Sequence, residues 1–198
     1  MAHGLRTATC HRKTKETEVH LTLGLDGGDC AISTGVGFFD HMLVHLARHG
    51  RFGLKLSAAG DTHVDDHHTV EDVGIVIGQA LDQVLGDKKG IERFGFASVP
   101  MDDALARVSV DLSGRAALAF DVAFGKDTGK IGTFDTQLVR EFLTALIHNG
   151  RFNCHIEVPR GHNNHHMVEA IFKALGRALR EAVAITGDQV PSTKGVLG

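Results

Sequence analysis

The 198-residue chain has no tryptophan and no tyrosine, and only three cysteines. Cys10, Cys30 and Cys154 are odd in number and lack CxxC spacing, so they indicate neither a disulfide framework nor a zinc knuckle. No apolar run approaches the roughly 20 residues of a membrane-spanning helix. The N-terminal MAHGLRTATCHRKTKETEV is short and polar, without the apolar core of a secretory signal, and a cytoplasmic location is expected. A large excess of one charge is also missing. A net charge of −3 and a pI near 6.5 argue against a broad nucleic-acid or membrane surface. With 42% hydrophobic and 23% charged residues the composition is that of an ordinary globular protein, long enough for one domain or two small ones. What is abundant is histidine, the commonest metal ligand, at fourteen residues.

The chain repeats itself. Residues 38–85 line up with residues 134–183: HGRF at 49–52 answers NGRF at 149–152, and after a two-residue deletion HHTVE at 67–71 answers HHMVE at 165–169. Each copy reads as helix, strand, helix. Phe39, Met42, Leu43 and Leu46 recur at helical spacing over 38–49, with Gly50 suited to a left-handed stop. Phe52, Leu54, Leu56 and Ala58 alternate as a strand does, as do Phe152, Cys154, Ile156 and Val158. Val70, Val73, Ile77, Ala80, Leu81 and Val84 form a second helical stripe, matched by Val168, Ile171, Leu175, Ala178, Leu179 and Ala182. Asp66 and Asn164 are the expected caps of these later helices. Strand-like runs around Asp-Gly-Gly at 26–28 and Ser-Gly at 113–114 read as hairpins ahead of each copy. The expected architecture is therefore α+β: a duplicated ββαβα unit with helices on mainly antiparallel sheet. Residues 86–103 read as a connection between halves.

The two HHxxE blocks are the chemical signal. On a helix Glu71 neighbours His67 and His68, but adjacent histidines point about 100° apart and cannot comfortably serve one ion. The same holds for His165, His166 and Glu169. Two such helices offer four imidazoles and two carboxylates, which suits two ions, each needing further ligands. His41 is the first candidate, and Glu141 occupies its position in the repeat. A histidine and carboxylate set without thiolate suits Mn2+, Fe2+ or Zn2+. A single His-His pair is usually a polar surface feature; two in register inside a larger repeat are not.

FFDHML at 38–43, GDTHVDDHHTVED at 60–72, KGIERFG at 89–95, LSGR at 112–115, FDTQLV at 134–139, NNHHMVEAIFKALGRALR at 163–180 and PSTKGVL at 191–197 together resemble imidazoleglycerol-phosphate dehydratase of histidine biosynthesis. The resemblance covers nearly the whole chain and implies a monofunctional dehydratase domain over 1–198. It divides into half-repeats at 5–90 and 91–190 and a substrate-binding tail at 191–198, in a fold like the second domain of ribosomal protein S5. It also implies Mn2+, two ions per active site, and a 24-subunit cage with active sites between subunits. Metal positions map to His41, His67, His68, Glu71, His165, His166 and Glu169. An eighth falls on Glu141, where several relatives carry histidine.

The implied reaction removes water from D-erythro-imidazole glycerol phosphate to give imidazole acetol phosphate. The proton lost is barely acidic, and the imidazole ring is the available electron sink. Holding that ring as an imidazolate between two cations would favour expulsion of the adjacent hydroxyl. Glu16 matches the family's acid/base group, although alone it would be read as a solvated charge. His67, Glu71, His165 and Glu169 would hold the reacting ring through the metal. Arg93, Arg115, Lys173, Ser192 and Lys194 match phosphate-binding positions. Taken by themselves, Arg115 reads equally as a solvated turn residue and Lys173 as an i,i+4 partner of Glu169. Asp102, Asp103, His45, His49 and His63 are weaker candidates for the same neighbourhood. A dinuclear hydrolase or a non-catalytic metal-storage cage would use the same metal ligands, but storage needs neither Glu16 nor the basic set.

Overall fold

The computed structural model describes residues 5–125 and 129–197. Gly198, the end of the expected tail, and the first four residues of the polar N-terminal segment lie outside them.

The first half runs β1 (Thr7–Lys13), β2 (Thr17–Gly24), β3 (Cys30–Ser33), α1 (Gly37–Gly50), β4 (Gly53–Gly60) and α2 (His67–Leu85). The second runs β5 (Phe94–Met101), β6 (Ala104–Asp111), β7 (Ala117–Asp121), α3 (Gln137–Gly150), β10 (Asn153–Arg160) and α4 (Asn164–Ala182). A two-stranded ribbon of β8 (Lys130–Ile131) and β9 (Phe134–Asp135) precedes α3. The four-stranded sheets share one order, β1-β2-β4-β3 and β5-β6-β10-β7, with only the last pair of each parallel. The duplicated α+β unit is thus present in both halves, each preceded by one further strand, β1 or β5.

Three local features differ from those expected. The hairpins join β1 to β2 and β5 to β6. The turns at 26–28 and 113–114 instead send the chain past its neighbour, so that β3 and β7 pair in parallel with β4 and β10. The supposed connection at 86–103 contains β5. Its inward residues Gly95 and Ala97 are small because α4 lies directly on the strand, and a Cβ at Gly95 would run into the Ala178 carbonyl. Phe94 and Phe96 face outward, which inverts the usual alternation. Lastly, the left-handed residues are Arg51 (φ 56°) and Arg151 (φ 52°), not Gly50. Gly50 and Gly150 are needed because the Phe52 and Phe152 rings pack flat on them.

The helices lie against the sheets and cross-pack between halves, α1 on α4 and α2 on α3. Glycine permits the close approach. A Cβ at Gly78 of α2 would come within 2.5 Å of the Leu146 carbonyl oxygen, and one at Gly176 of α4 within 2.6 Å of the Leu46 carbonyl oxygen. Phe39, Met42, Leu43, Phe142, Leu143 and Phe172 are fully buried in this layer, each contributing about 1.5–3 kcal/mol on burial. This rigid double layer holds the first turns of α2 and α4, where the histidine pairs sit.

Candidate metal centre

Both histidine pairs begin a helix. Asn163 caps α4, its Oδ1 accepting from the backbone N–H of His165 (2.9 Å) and His166 (3.4 Å). Asn164, the expected cap, instead accepts from the Gly125 N–H at 2.8 Å. In α2 the His67 N–H donates to Asp65 Oδ1 at 2.8 Å, while the Asp66 side chain makes no cap bond. One residue earlier than expected in sequence, these acceptors satisfy the orphan donors at the helix starts.

The adjacent rings diverge as helical geometry requires. His67 and His68 are inclined at 89° to one another, and His165 and His166 at 76°. Within each pair the first histidine faces its own glutamate: His165 Nε2 lies 3.2 Å from Glu169 and His67 Nε2 lies 3.9 Å from Glu71. The second histidine turns to a carboxylate on another element. His68 Nδ1 is 3.0 Å from Asp61, just beyond β4, and 3.8 Å from Glu16 in the β1–β2 turn. His166 Nδ1 is 2.6 Å from Asp103 in the β5–β6 turn, and its Nε2 is 3.4 Å from Asp102. A carboxylate on Nδ1 fixes the ring and leaves Nε2 for an ion. Asp61 was not among the sequence candidates; its signal is its place in GDTHVDDHH.

Glu169 is the hub of the more enclosed centre. Its carboxylate is 2.5 Å from Lys173 Nζ, 3.4 Å from His45 Nε2 and 3.7 Å from His41 Nε2, and the two histidine Nε2 atoms lie 3.2 Å apart. Burial alone would raise the Glu169 carboxyl, but the Lys173 hydrogen bond and the neighbouring His45 bring it below its ordinary value. Burial pushes His45 down to about 4, against the pull of Glu169, so this imidazole is neutral at pH 7. Neutral imidazoles and an ionised carboxylate are what a divalent ion requires, and His41, His45 and Glu169 already hold ligand atoms within 4.8 Å of one another. Glu16, Asp61 and His68 form a second such group. The donor chemistry therefore fits hard-to-borderline divalent ions.

Glu141 is half-buried on α3, which packs on α2 as α1 packs on α4. Among the described residues no hydrogen bond or ion pair joins it to His67 or Glu71.

The basic candidates do not converge within the chain. Lys173 bonds Glu169 and also lies 3.4 Å from Met101 Sδ, at the far end of β5. Arg93 stands at the opposite end of that strand, paired with Asp111 at 2.7 Å and donating to the Pro191 carbonyl at 2.8 Å. Eight residues of strand separate them, on the order of 25 Å. Arg115 is exposed beside the Arg93 end, where the Arg93 carbonyl accepts from Leu112 N–H. Ser192 and Lys194 follow in the tail that Arg93 anchors, with the Lys194 N–H donating to Ser192 Oγ at 3.2 Å. His49 lies beside His45, with ring centroids 5.9 Å apart, whereas His63 is exposed and enters neither metal-ligand group.

The family model for imidazoleglycerol-phosphate dehydratase matches residues 34–179, most of the chain. The chain belongs to the imidazoleglycerol-phosphate dehydratase family. It is 55% identical to the imidazoleglycerol-phosphate dehydratase of Lacticaseibacillus casei over 196 residues, covering 98% of this chain and 100% of that one. Identity to the Streptococcus mutans enzyme is 56% over the same coverage of the chain and all of that enzyme. Its fold is similar to the crystal structure of the dehydratase from Staphylococcus aureus, with a TM-score of 0.81 at 43% identity, covering 91% of this chain and 99% of that one. It is also similar to the Pyrococcus furiosus dehydratase in complex with (S)-C348, with a TM-score of 0.83 at 38% identity and coverage of 95% and 100%. No helix among the described residues is long and apolar enough to cross a membrane.

Proposed function

We propose that the histidine and carboxylate groups at the starts of α2 and α4 carry out the family reaction, the dehydration of D-erythro-imidazole glycerol phosphate to imidazole acetol phosphate in histidine biosynthesis. The enzyme is a carbon–oxygen hydro-lyase. Neither a dinuclear hydrolase nor a metal store gains support, because the full-length relatives bear the dehydratase name. The observation that carries the assignment of roles is the Glu169 cluster, in which His41, His45 and His165 converge on one buried carboxylate.

In this reading His41, His67, His68, Glu71, His165, His166 and Glu169 are the ligands, with Glu141 the eighth, for two Mn2+ per site. Bound divalent ions would supply Lewis acidity to the substrate's ring nitrogens. Asp61 and Asp103 hold His68 and His166 in the tautomer that presents Nε2. Glu16 moves the proton. It sits at a hairpin tip whose backbone is tied down by Thr14 Oγ1, which accepts from the N–H groups of Glu16 (3.1 Å) and Thr17 (2.9 Å). Beneath it, Asp72 of α2 accepts from Arg12 Nε at 2.8 Å and from the Thr17 hydroxyl, fixing the hairpin to the helix that carries His67 and His68.

Arg93, Arg115, Ser192 and Lys194 bind the phosphate, with Lys173 contributing from the metal end, and residues 191–198 act as a tail over the substrate. The separation of Arg93 from Lys173 along β5 favours a site completed by more than one copy of the chain, and the 24-subunit cage is the assembly we propose. The whole chain, 1–198, then works as one domain of two half-repeats, 5–90 and 91–190, in the cytoplasm.

The test is formation of the keto product by metal-depleted protein on addition of Mn2+, alongside Glu16→Gln. Restored turnover in the wild type is expected, with none in the variant at unchanged metal content and assembly. If the variant loses assembly as well, Glu16 is a structural residue and its catalytic role falls.

A further inference from the structure

The first sheet carries a third group of possible metal ligands, on the outer face of β1 and β2. The antiparallel register of β1 and β2 sets Thr9 opposite Thr22, His11 opposite His20 and Lys13 opposite Glu18. Strand alternation buries Ala8, Val19 and Leu21 beneath the sheet and leaves these cross-strand pairs on its outer face. The two imidazoles stack with centroids 4.1 Å apart and planes inclined at 9°. Glu18 reaches diagonally along the face, its Oε1 lying 3.1 Å from His11 Nε2 and 3.5 Å from His20 Nε2. One ligand atom from each residue lies within 4.8 Å of the others. The dehydration uses none of the three.

We propose that His11, His20 and Glu18 form a surface site for a divalent transition metal such as Zn2+, separate from the catalytic ions. An ion with tetrahedral ligands at 2.0–2.1 Å needs donor atoms about 3.4 Å apart. The two histidine–glutamate spacings already straddle that value. Two histidines and a glutamate are also a complete protein ligand set for an ion that keeps one position open. His11 and His20 also line a groove of about 510 Å³ across β1, β2, β3 and β4, bordered by Thr22, Ser33, Lys55 and Ser57.

Binding tilts the rings out of their parallel stack so that both Nε2 lone pairs aim at the ion, and their exposure leaves room for that rotation. Lys13 opposes the ion, because its Nζ holds Glu18 Oε2 at 2.8 Å.

The experiment equilibrates the assembled enzyme with Zn2+, removes unbound ion and counts zinc per chain by mass spectrometry while turnover is assayed in parallel. The double variant His11→Ala/His20→Ala is expected to hold one Zn2+ per chain fewer than the wild type, with unchanged dehydratase activity. Lys13→Ala is expected to tighten zinc binding roughly three- to fivefold, the scale of one exposed ion pair, and Glu18→Gln to weaken it. Equal zinc in wild type and double variant would overturn the site. Loss of zinc together with turnover would also overturn it, since the ion would then belong to the catalytic set. An unchanged affinity in both Lys13→Ala and Glu18→Gln would remove Glu18 from the ligands. Because turnover is read separately, failure here leaves the dehydratase assignment untouched.

Discussion

Replacing Asp103 by asparagine separates the charge of this carboxylate from its geometry. Asp103 Oδ2 is held by two backbone donors, the N–H of His162 at 2.6 Å and that of Asn163 at 3.1 Å, while Oδ1 faces His166 Nδ1 at 2.6 Å. These bonds keep the carboxyl well below the usual carboxylate range, with the His166 bond the largest cause. An asparagine must direct its carbonyl oxygen at the two N–H groups, so its amide NH2 confronts Nδ1. A donor there requires Nδ1 to be an acceptor, which moves the imidazole proton to Nε2, the atom offered to the ion. Loss of an outer carboxylate partner of this kind typically weakens metal binding by about 10–100-fold. The tautomer argument adds a ranking: Asp103→Asn is expected to be worse than Asp103→Ala, which removes the carboxylate but leaves the ring free to choose. Calorimetric titration of metal-free protein with Mn2+ measures both. An asparagine variant that binds like the wild type, or an alanine variant that binds more weakly than asparagine, would refute the reasoning.

Three further predictions rest on separate parts of the fold. Gly78→Ala places a methyl 2.5 Å from the Leu146 carbonyl oxygen and should cost about 1–3 kcal/mol in chemical denaturation, outweighing any gain in helix propensity; a control at Gly37, where a Cβ meets nothing within 4 Å, should not destabilise. Asp72→Ala leaves Arg12 and Thr17 without their shared acceptor, costing about 1–3 kcal/mol, and should lower kcat by loosening the hairpin that carries Glu16; unchanged kcat in the folded variant would contradict that placement. Burial raises the Cys154 thiol to about 12, so a thiol reagent at pH 8 should label exposed Cys30 in the native protein and reach Cys154 only after unfolding; rapid native labelling of Cys154 would place it at the surface.

Much of the site was legible because duplication amplifies a weak local pattern. One HHxxE segment is ambiguous, but two in register define two helix starts, and 3.6-residue geometry then forces His67 from His68 and His165 from His166. Helical stripes such as Phe39, Met42, Leu43 and Leu46 were equally plain, because burial on one face leaves a periodic trace. The strands β1 and β5 left little trace. Arg12 of β1 turns toward the helix layer to meet Asp72, and β5 needs Gly95 under α4 while its phenylalanines face out. Their place is set by what packs on them.

The partners of the histidines belong to the same class. Asp61, Asp103 and His45 lie 7, 63 and 124 residues from the side chains they meet (His68, His166 and Glu169), distances that no local periodicity encodes. Chain direction is a similar case: a glycine-rich turn after β2 fits a hairpin as well as the crossover that places β3 beside β4, and the choice falls to sheet pairing. The sequence by itself determined the α+β class, the duplication and the helix faces, all of which follow from composition and spacing along the chain, and it singled out the two HHxxE blocks as the candidate metal ligands. Tertiary structure alone decided which carboxylates orient His68 and His166, that Glu169 is buried among His41, His45, His165 and Lys173, and that Arg93 and Lys173 stand at opposite ends of one strand. These depend on the close packing of the two four-stranded sheets with the helices, in which a residue's surroundings come from elements distant in sequence.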